Sequence, residues 1–137
     1  YISIKLFDDL INLLVRQQVT ACGILGNCQV QYVIEADGSV YPCDFYVLDE
    51  YRMGYIQEQT LRQLFEQDIA KTFLCGRPEM PKKCLSCPFQ KMCRGGCKRM
   101  KDAIYVDNTG YCGYQQLLQE FVPQINRILG LLQGVSV

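Results

Sequence analysis

Apolar residues recur every three or four positions at both ends of the chain, while the middle alternates or carries no period. Over residues 4–18, Leu6, Leu10, Leu13 and Leu14 fall at helical spacing with Asp8 and Asp9 near the start, so the pattern predicts an amphipathic helix. Residues 29–43 alternate in two short runs, Val30-Gln31-Tyr32-Val33-Ile34 and Ser39-Val40-Tyr41, around Asp37-Gly38. That dipeptide is a strong two-residue hairpin signal, and the second strand is expected to end at Cys43. Thr60 is placed to open another helix, with Gln63 completing a capping box and Leu61, Leu64 and Phe65 on one face. After Cys112 the helical spacing returns at Leu117, Leu118, Phe121, Ile125, Ile128, Leu129 and Leu132. Pro123 should kink that stretch or start a second helix there.

Residues 76–100 differ from everything around them. Gly76, Pro78, Pro81, Pro88 and Gly95-Gly96 punctuate a stretch with little apolar periodicity, and four cysteines fall inside it. Something other than side-chain packing must organise it. Composition points the same way: the 137 residues include nine cysteines and no histidine or tryptophan. That density lies below the roughly 8–10 % of short disulfide scaffolds. A domain of this length buries roughly two-thirds of its unfolded surface and needs no staples.

Several classes are excluded. The apolar fraction of 49 % and only five prolines exclude a disordered or collagenous chain. Fourteen basic residues balance fourteen acidic ones, so no global field favours nucleic acid or an anionic membrane. No run of eighteen apolar residues marks a transmembrane helix. The start, Tyr1-Ile2-Ser3-Ile4-Lys5, lacks a basic n-region, a continuous apolar run and an initiator methionine, so a fragment of a longer protein without a signal peptide is expected. Without histidine, Ser-His-Asp triads and His-containing zinc sites are impossible within the chain.

Cys75 apart, the cysteines are Cys22, Cys28, Cys43, Cys84, Cys87, Cys93, Cys97 and Cys112. Eight is two sets of four, the number one cubane iron–sulfur cluster or one Cys₄ zinc site requires. In Cys84-x₂-Cys87-x₅-Cys93-x₃-Cys97, short spacings let loop backbone curl round a compact inorganic core. Three readings compete. A disulfide framework would suit a secreted chain, but no signal peptide is visible, the count of nine is odd, and the fold is large enough without it. Structural zinc suits Cys84-x₂-Cys87, but Cys93-x₃-Cys97 lies too near for the usual two knuckles. Two [4Fe–4S] clusters suit the spacing, while all-thiolate ligation fits zinc and iron–sulfur alike.

Cys28-x₉-Gly38-x₄-Cys43, the dense motif and the later Cys112 resemble the seven-cysteine signature of SPASM domains. These are auxiliary-cluster domains of radical S-adenosylmethionine (SAM) enzymes. Cys22 with Gly23-Ile24-Leu25-Gly26-Asn27-Cys28, and Val40-Tyr41-Pro42-Cys43-Asp44-Phe45-Tyr46, resemble the anaerobic sulfatase-maturating enzymes in particular. The resemblance covers about residues 20–115. It implies one cluster held by Cys22, Cys28, Cys43 and Cys97, and a second by Cys84, Cys87, Cys93 and Cys112. It also implies that Asp44 accepts the proton of a substrate serine or cysteine while a nearby cluster takes an electron. The plainer alternative for Asp44 is a turn cap or strand end.

The expected architecture is therefore α+β and SPASM-like: a small β-hairpin and cluster-binding loops flanked by helices and held together by two metal clusters. Residues 1–19 would be a linker helix or the last helix of a missing radical SAM barrel, 20–115 the SPASM domain, and 116–137 a C-terminal helix packed on it. The only Cys-x₃-Cys is Cys93 to Cys97, and Met100 stands where a SAM-cleaving motif needs a third cysteine. SAM and a third cluster thus belong to the missing domain, the chain alone should be inactive, and its N-terminal helix should lack its natural partner and self-associate. The implied parent is a cytoplasmic oxidoreductase converting cysteine or serine of a sulfatase to formylglycine. Its partners are its own barrel and a sulfatase or peptide, with no nucleic acid or membrane. Another SPASM peptide-modifying enzyme and a non-enzymatic zinc-binding interaction module are the alternatives. A fragment prepared in air can hold zinc, disulfides or no metal. Cys75 is expected as a small buried hydrophobe at the end of the Thr60 helix. The basic run Lys91, Arg94, Lys98, Arg99 and Lys101 is expected as a solvated face, and Tyr32, Tyr41 and Tyr46 as core or wall.

Overall fold

Leu10 and Leu13, one turn apart, explain why the first helix docks where it does. In a computed structural model, which describes residues 3–18, 21–101, 106–107 and 109–133, this helix (α1) spans Lys5–Arg16. Residues 1–2, 19 and 134–137, the ends of the expected terminal segments, lie outside the described residues. Leu10 is fully buried and Leu13 partly so, against Tyr114 and Leu118. Asp9 is buried as well and forms an ion pair with Lys5 one turn earlier. Gln17 ends the helix in the left-handed region, its N–H bonding back to Leu13 O at 3.1 Å.

Part of the apolar face of α1 packs against the chain itself. Phe7 stacks on Phe121 of the helix α7 (Gly113–Phe121), with ring centroids 5.6 Å apart. Ile4, Leu6 and Val15 remain exposed. Pro123 falls in a 3-10 turn, Val122–Gln124, from which a separate helix α8 (Ile125–Gln133) starts. The chain divides into two compact units, Tyr1–Asn27 with Met80–Val137, and Cys28–Glu79. The first also holds the short helices α2 (Cys22–Leu25), α5 (Lys82–Leu85) and α6 (Gln90–Cys93).

The second unit is built on a three-stranded antiparallel sheet in the order β1-β2-β3. Strand β1 (Val33–Ile34) pairs with β2 (Ser39–Tyr41) in the register Val33 to Tyr41. The connecting turn is not the two-residue form that Asp37-Gly38 suggests. Gly38 N–H bonds to Glu35 O at 2.9 Å, and Gly38 takes φ +84, so four residues turn the chain with Gly38 in the left-handed position. Strand β2 ends at Tyr41, because Pro42 has no N–H for the ladder, although its carbonyl still accepts Gln31 N–H at 2.8 Å. A third strand, β3 (Gly54–Tyr55), pairs Ser39 with Tyr55 and is too short to leave a period in the sequence.

The Thr60 capping box forms in full, with Thr60 and Gln63 each bonding the other's backbone N–H. The helix it opens, α3 (Leu61–Phe65), is only five residues long and buries Leu64 alone, while Leu61 and Phe65 face solvent. A new helix, α4 (Asp68–Cys75), follows and buries Ala70 and Phe73 at a spacing of three. Val40, Met53, Leu64 and Ala70 form the core of this unit. Phe73 meets Tyr46 edge-on at 5.3 Å, and Tyr46 meets Tyr51 at 4.7 Å. The architecture is mixed helix with a small antiparallel sheet, and no helix among the described residues is long and apolar enough to cross a membrane.

Candidate metal centre

Backbone geometry places Cys84, Cys87, Cys93 and Cys112 around one space. Pro81 sets extended backbone ahead of α5, and Cys87 N–H bonds to Cys84 O at 3.2 Å, so both thiols belong to one turn. Cys93 closes α6, its N–H bonded to Phe89 O at 3.0 Å. Cys112 is the N-cap of α7, and its Sγ accepts Gln115 N–H at 3.3 Å. All four line a single pocket whose remaining walls include Phe89, Val106 and Leu118.

Their electrostatics follow from that placement. Burial pushes the Cys84 thiol pKa up, and Cys112 and Cys87 add to the rise; Lys101 and Lys83 oppose it. Burial likewise raises Cys93, where a hydrogen bond from the Gly95 backbone opposes the effect and Cys84, Cys87 and Cys112 add to it. Four thiolates crowded into an apolar pocket repel one another, so the ionised set needs a positive centre among them. The all-sulfur donor set, its N–H donors and its dry walls fit an iron–sulfur cluster. Among the described residues, no three Cys, Asp or Glu side chains converge as tightly as a single metal ion requires. No disulfide forms either, and the described residues include all nine cysteines.

The other four predicted ligands are divided between the units. Cys22 opens α2 in the first unit, and a Cβ added at Gly23 would stand 3.3 Å from Cys97 Cβ. Cys28 and Cys43 lie in the second unit, near the Gln31–Pro42 hydrogen bond. Cys43 is buried and Cys28 half-buried. Asp44 is exposed at the start of a 3-10 turn, where its Oδ1 accepts Phe45 N–H at 3.1 Å and the Cys43 thiol at 3.3 Å. Cys75 is exposed at the end of α4, not buried at the end of the Thr60 helix. The core face of α4 is taken by Ala70 and Phe73, leaving Cys75 off it. In the basic run, Lys91, Arg94 and Arg99 are exposed. Tyr41 is buried, and the Tyr32 hydroxyl donates to Leu61 O at 3.2 Å. Sequence reasoning gave no sign of the bond from Arg94 to Asn27, 67 residues apart.

Residues 22–88 match the SPASM family, an iron–sulfur cluster-binding domain. Residues 22–88 are a SPASM domain. The chain is 43 % identical over 109 residues to a cysteine-type anaerobic sulfatase-maturating enzyme of Clostridium novyi, covering 80 % of this chain and 29 % of that enzyme. With a cysteine-type anaerobic sulfatase-maturating enzyme of Clostridium perfringens it shares 39 % over 120 residues, 88 % of this chain and 32 % of the relative. The solved structure of native anSMEcpe with bound AdoMet and the Kp18Cys peptide superposes with a TM-score of 0.77 at 33 % identity, over 93 % of this chain and 36 % of that one. The chain thus spans about a third of the length of these proteins.

Proposed function

We propose that this chain is the auxiliary-cluster domain of a radical SAM enzyme that oxidises a sulfatase cysteine to formylglycine. The observation that carries the reading is the placement of four thiols on one apolar pocket within a chain similar to sulfatase-maturating enzymes along most of its length. Cys84, Cys87, Cys93 and Cys112 would hold one [4Fe–4S] cluster, and Cys22, Cys28, Cys43 and Cys97 a second. The cysteine-type names of the relatives support cysteine as the target over serine.

When bound, an iron–sulfur cluster supplies a one-electron acceptor beside the substrate. Asp44 supplies a base. Oxidation of the side chain removes two hydrogens, one as an atom taken from Cβ by a radical made elsewhere in the enzyme. The other leaves the sulfur as a proton, which the Asp44 carboxylate takes, and one electron departs to the cluster; the thioaldehyde so formed is hydrolysed by water, which supplies the aldehyde oxygen while the sulfur leaves as hydrogen sulfide. Ligation of Cys43 as a thiolate removes the proton that its thiol donates to Asp44 Oδ1, which leaves Phe45 N–H to hold that oxygen in place.

Asp44→Asn in the full-length enzyme tests the base. Turnover should fall by about 10²-fold or more with iron content unchanged, and undiminished turnover removes Asp44 from the mechanism. Metal analysis of anaerobically prepared protein tests the clusters. Iron with a broad visible thiolate-to-iron absorbance is expected, and zinc in its place removes the reading.

A further inference from the structure

Three residues separate Cys93 from Cys97, and all three lie in the left-handed region: Arg94 at φ +48, Gly95 at +85 and Gly96 at +70. Glycine adopts that region freely and other L-residues do not. Gly96 N–H closes the turn onto Cys93 O at 2.7 Å. The reversal leaves Cys93 on the pocket with Cys84, Cys87 and Cys112, and carries Cys97 to α2 beside Gly23.

The α2 segment is shaped to receive this turn. Gly26 caps α2 at φ +59, and a Cβ there would stand 2.4 Å from Cys93 O, 3.1 Å from Arg94 O and 3.1 Å from Gly96 N. The next residue, Asn27, accepts a hydrogen bond through Oδ1 from Arg94 Nη1 at 2.8 Å. Each partner sits in a short turn, with Asn27 N–H on Cys22 O at 3.2 Å and Met100 N–H on Cys97 O at 3.1 Å. The helix α2 is four residues long and has no side-chain N-cap, too short to be stable alone. Cys97 lies beyond three left-handed residues. Cys93 differs: it is buried in the core and hydrogen-bonded within α6.

We propose that Arg94 and Asn27 are a positioning pair that fixes Cys22 relative to Cys97, two ligands of one cluster set, and leaves the other set untouched. The proposal rests on the ligand sets assigned under Proposed function. It makes Arg94 more than a solvated cation: its guanidinium clamps the loop carrying Cys22 to the turn carrying Cys97.

The test follows iron release to a chelator such as bathophenanthroline in anaerobically purified full-length protein. Cys22→Ala and Cys112→Ala first mark which iron pool belongs to which set. Arg94→Ala should speed release from the Cys22 pool about five-fold, the loss of one solvent-exposed hydrogen bond, and leave the Cys112 pool at its native rate. Arg94→Gly keeps the left-handed backbone while removing the guanidinium, so it must show the same selective effect even where Arg94→Ala folds poorly. Asn27→Asp keeps an acceptor for Arg94 and should release iron no faster than the native protein. Equal acceleration of both pools, or of neither, overturns the positioning pair while the ligand sets stand. If Cys22→Ala and Cys112→Ala empty the same pool, the ligand sets fail, and the pair falls with them.

Discussion

Phe7 and Phe121 lie face to face with ring planes 2° apart, joining the first helix of the chain to the helix that follows the last cysteine. Both rings keep an edge in solvent, so the stack adds to the anchoring by Leu10 rather than replacing it. Phe7→Ala should destabilise the protein by about 1–2 kcal/mol, from the aromatic pair and the lost buried area. The unfolding midpoint in denaturant reads this directly, and an unchanged midpoint would show that Leu10 and Leu13 hold α1 alone.

Two glycines of the cysteine loops make a controlled pair. A methyl at Gly26 meets the Cys93 carbonyl, which is backbone and cannot swing away, whereas a methyl at Gly95 meets nothing within 4 Å. Both residues have positive φ. Gly95→Ala should therefore cost only the conformational penalty, about 1–2 kcal/mol. Gly26→Ala adds overpacking and should cost about 3 kcal/mol or more. Thermal melts of the two variants rank them, and equal costs would mean that α2 shifts away from the turn freely.

Asp37 carries a pH-dependent contribution to the hairpin. Its Oδ1 accepts the Ser39 hydroxyl at 2.6 Å and the Ser39 N–H at 2.9 Å, and these bonds, the hydroxyl first, hold its pKa below the ordinary carboxylate range. A depressed folded-state pKa means that the stabilisation is complete above the unfolded value, about pH 4, and is lost as pH falls through the folded one. A carboxyl-detected NMR titration should show Asp37 titrating low in the native chain and higher in Ser39→Ala. Identical midpoints would remove the hydroxyl as the cause.

Cys75 should prove dispensable. It is exposed at the end of α4 and is not among the residues that line the pocket. In holo-protein it should be the cysteine that iodoacetamide labels first, and Cys75→Ser should leave iron content and activity unchanged. Loss of iron in that variant would place Cys75 among the ligands.

Wherever one local signal decided the outcome, the sequence was readable. The period of Leu10 and Leu13 marks α1, and Thr60 with Gln63 marks a helix start that forms in full. Length and depth were harder to read. Leu61 and Phe65 share a helical spacing with Leu64, yet the helix stops after Phe65, so only Leu64 reaches the core. The two-residue strand β3 is set by its pairing to β2 rather than by any alternation of its own. The hairpin turn shows how one dipeptide serves two geometries: Gly38 supplies a positive φ to the four-residue turn as readily as to the two-residue one. At the candidate site, cysteine spacing located the dense motif but not the path of the chain through it. That path depends on the left-handed sequence Arg94-Gly95-Gly96, of which only the glycine pair carried a visible sign.

The Asn27–Arg94 bond joins residues 67 positions apart and also sets a schedule for synthesis. At ribosomal rates of about 5–20 residues per second, the loop bearing Cys22 is made several seconds before the turn that receives it. Residues 28–79 form a continuous unit and can fold during that interval. The first unit must wait for its second half. Cys22 therefore leaves the ribosome before its neighbour Cys97 exists, and on the proposed ligand sets its site would be completed only after Cys97 has been made, which favours late delivery of the metal.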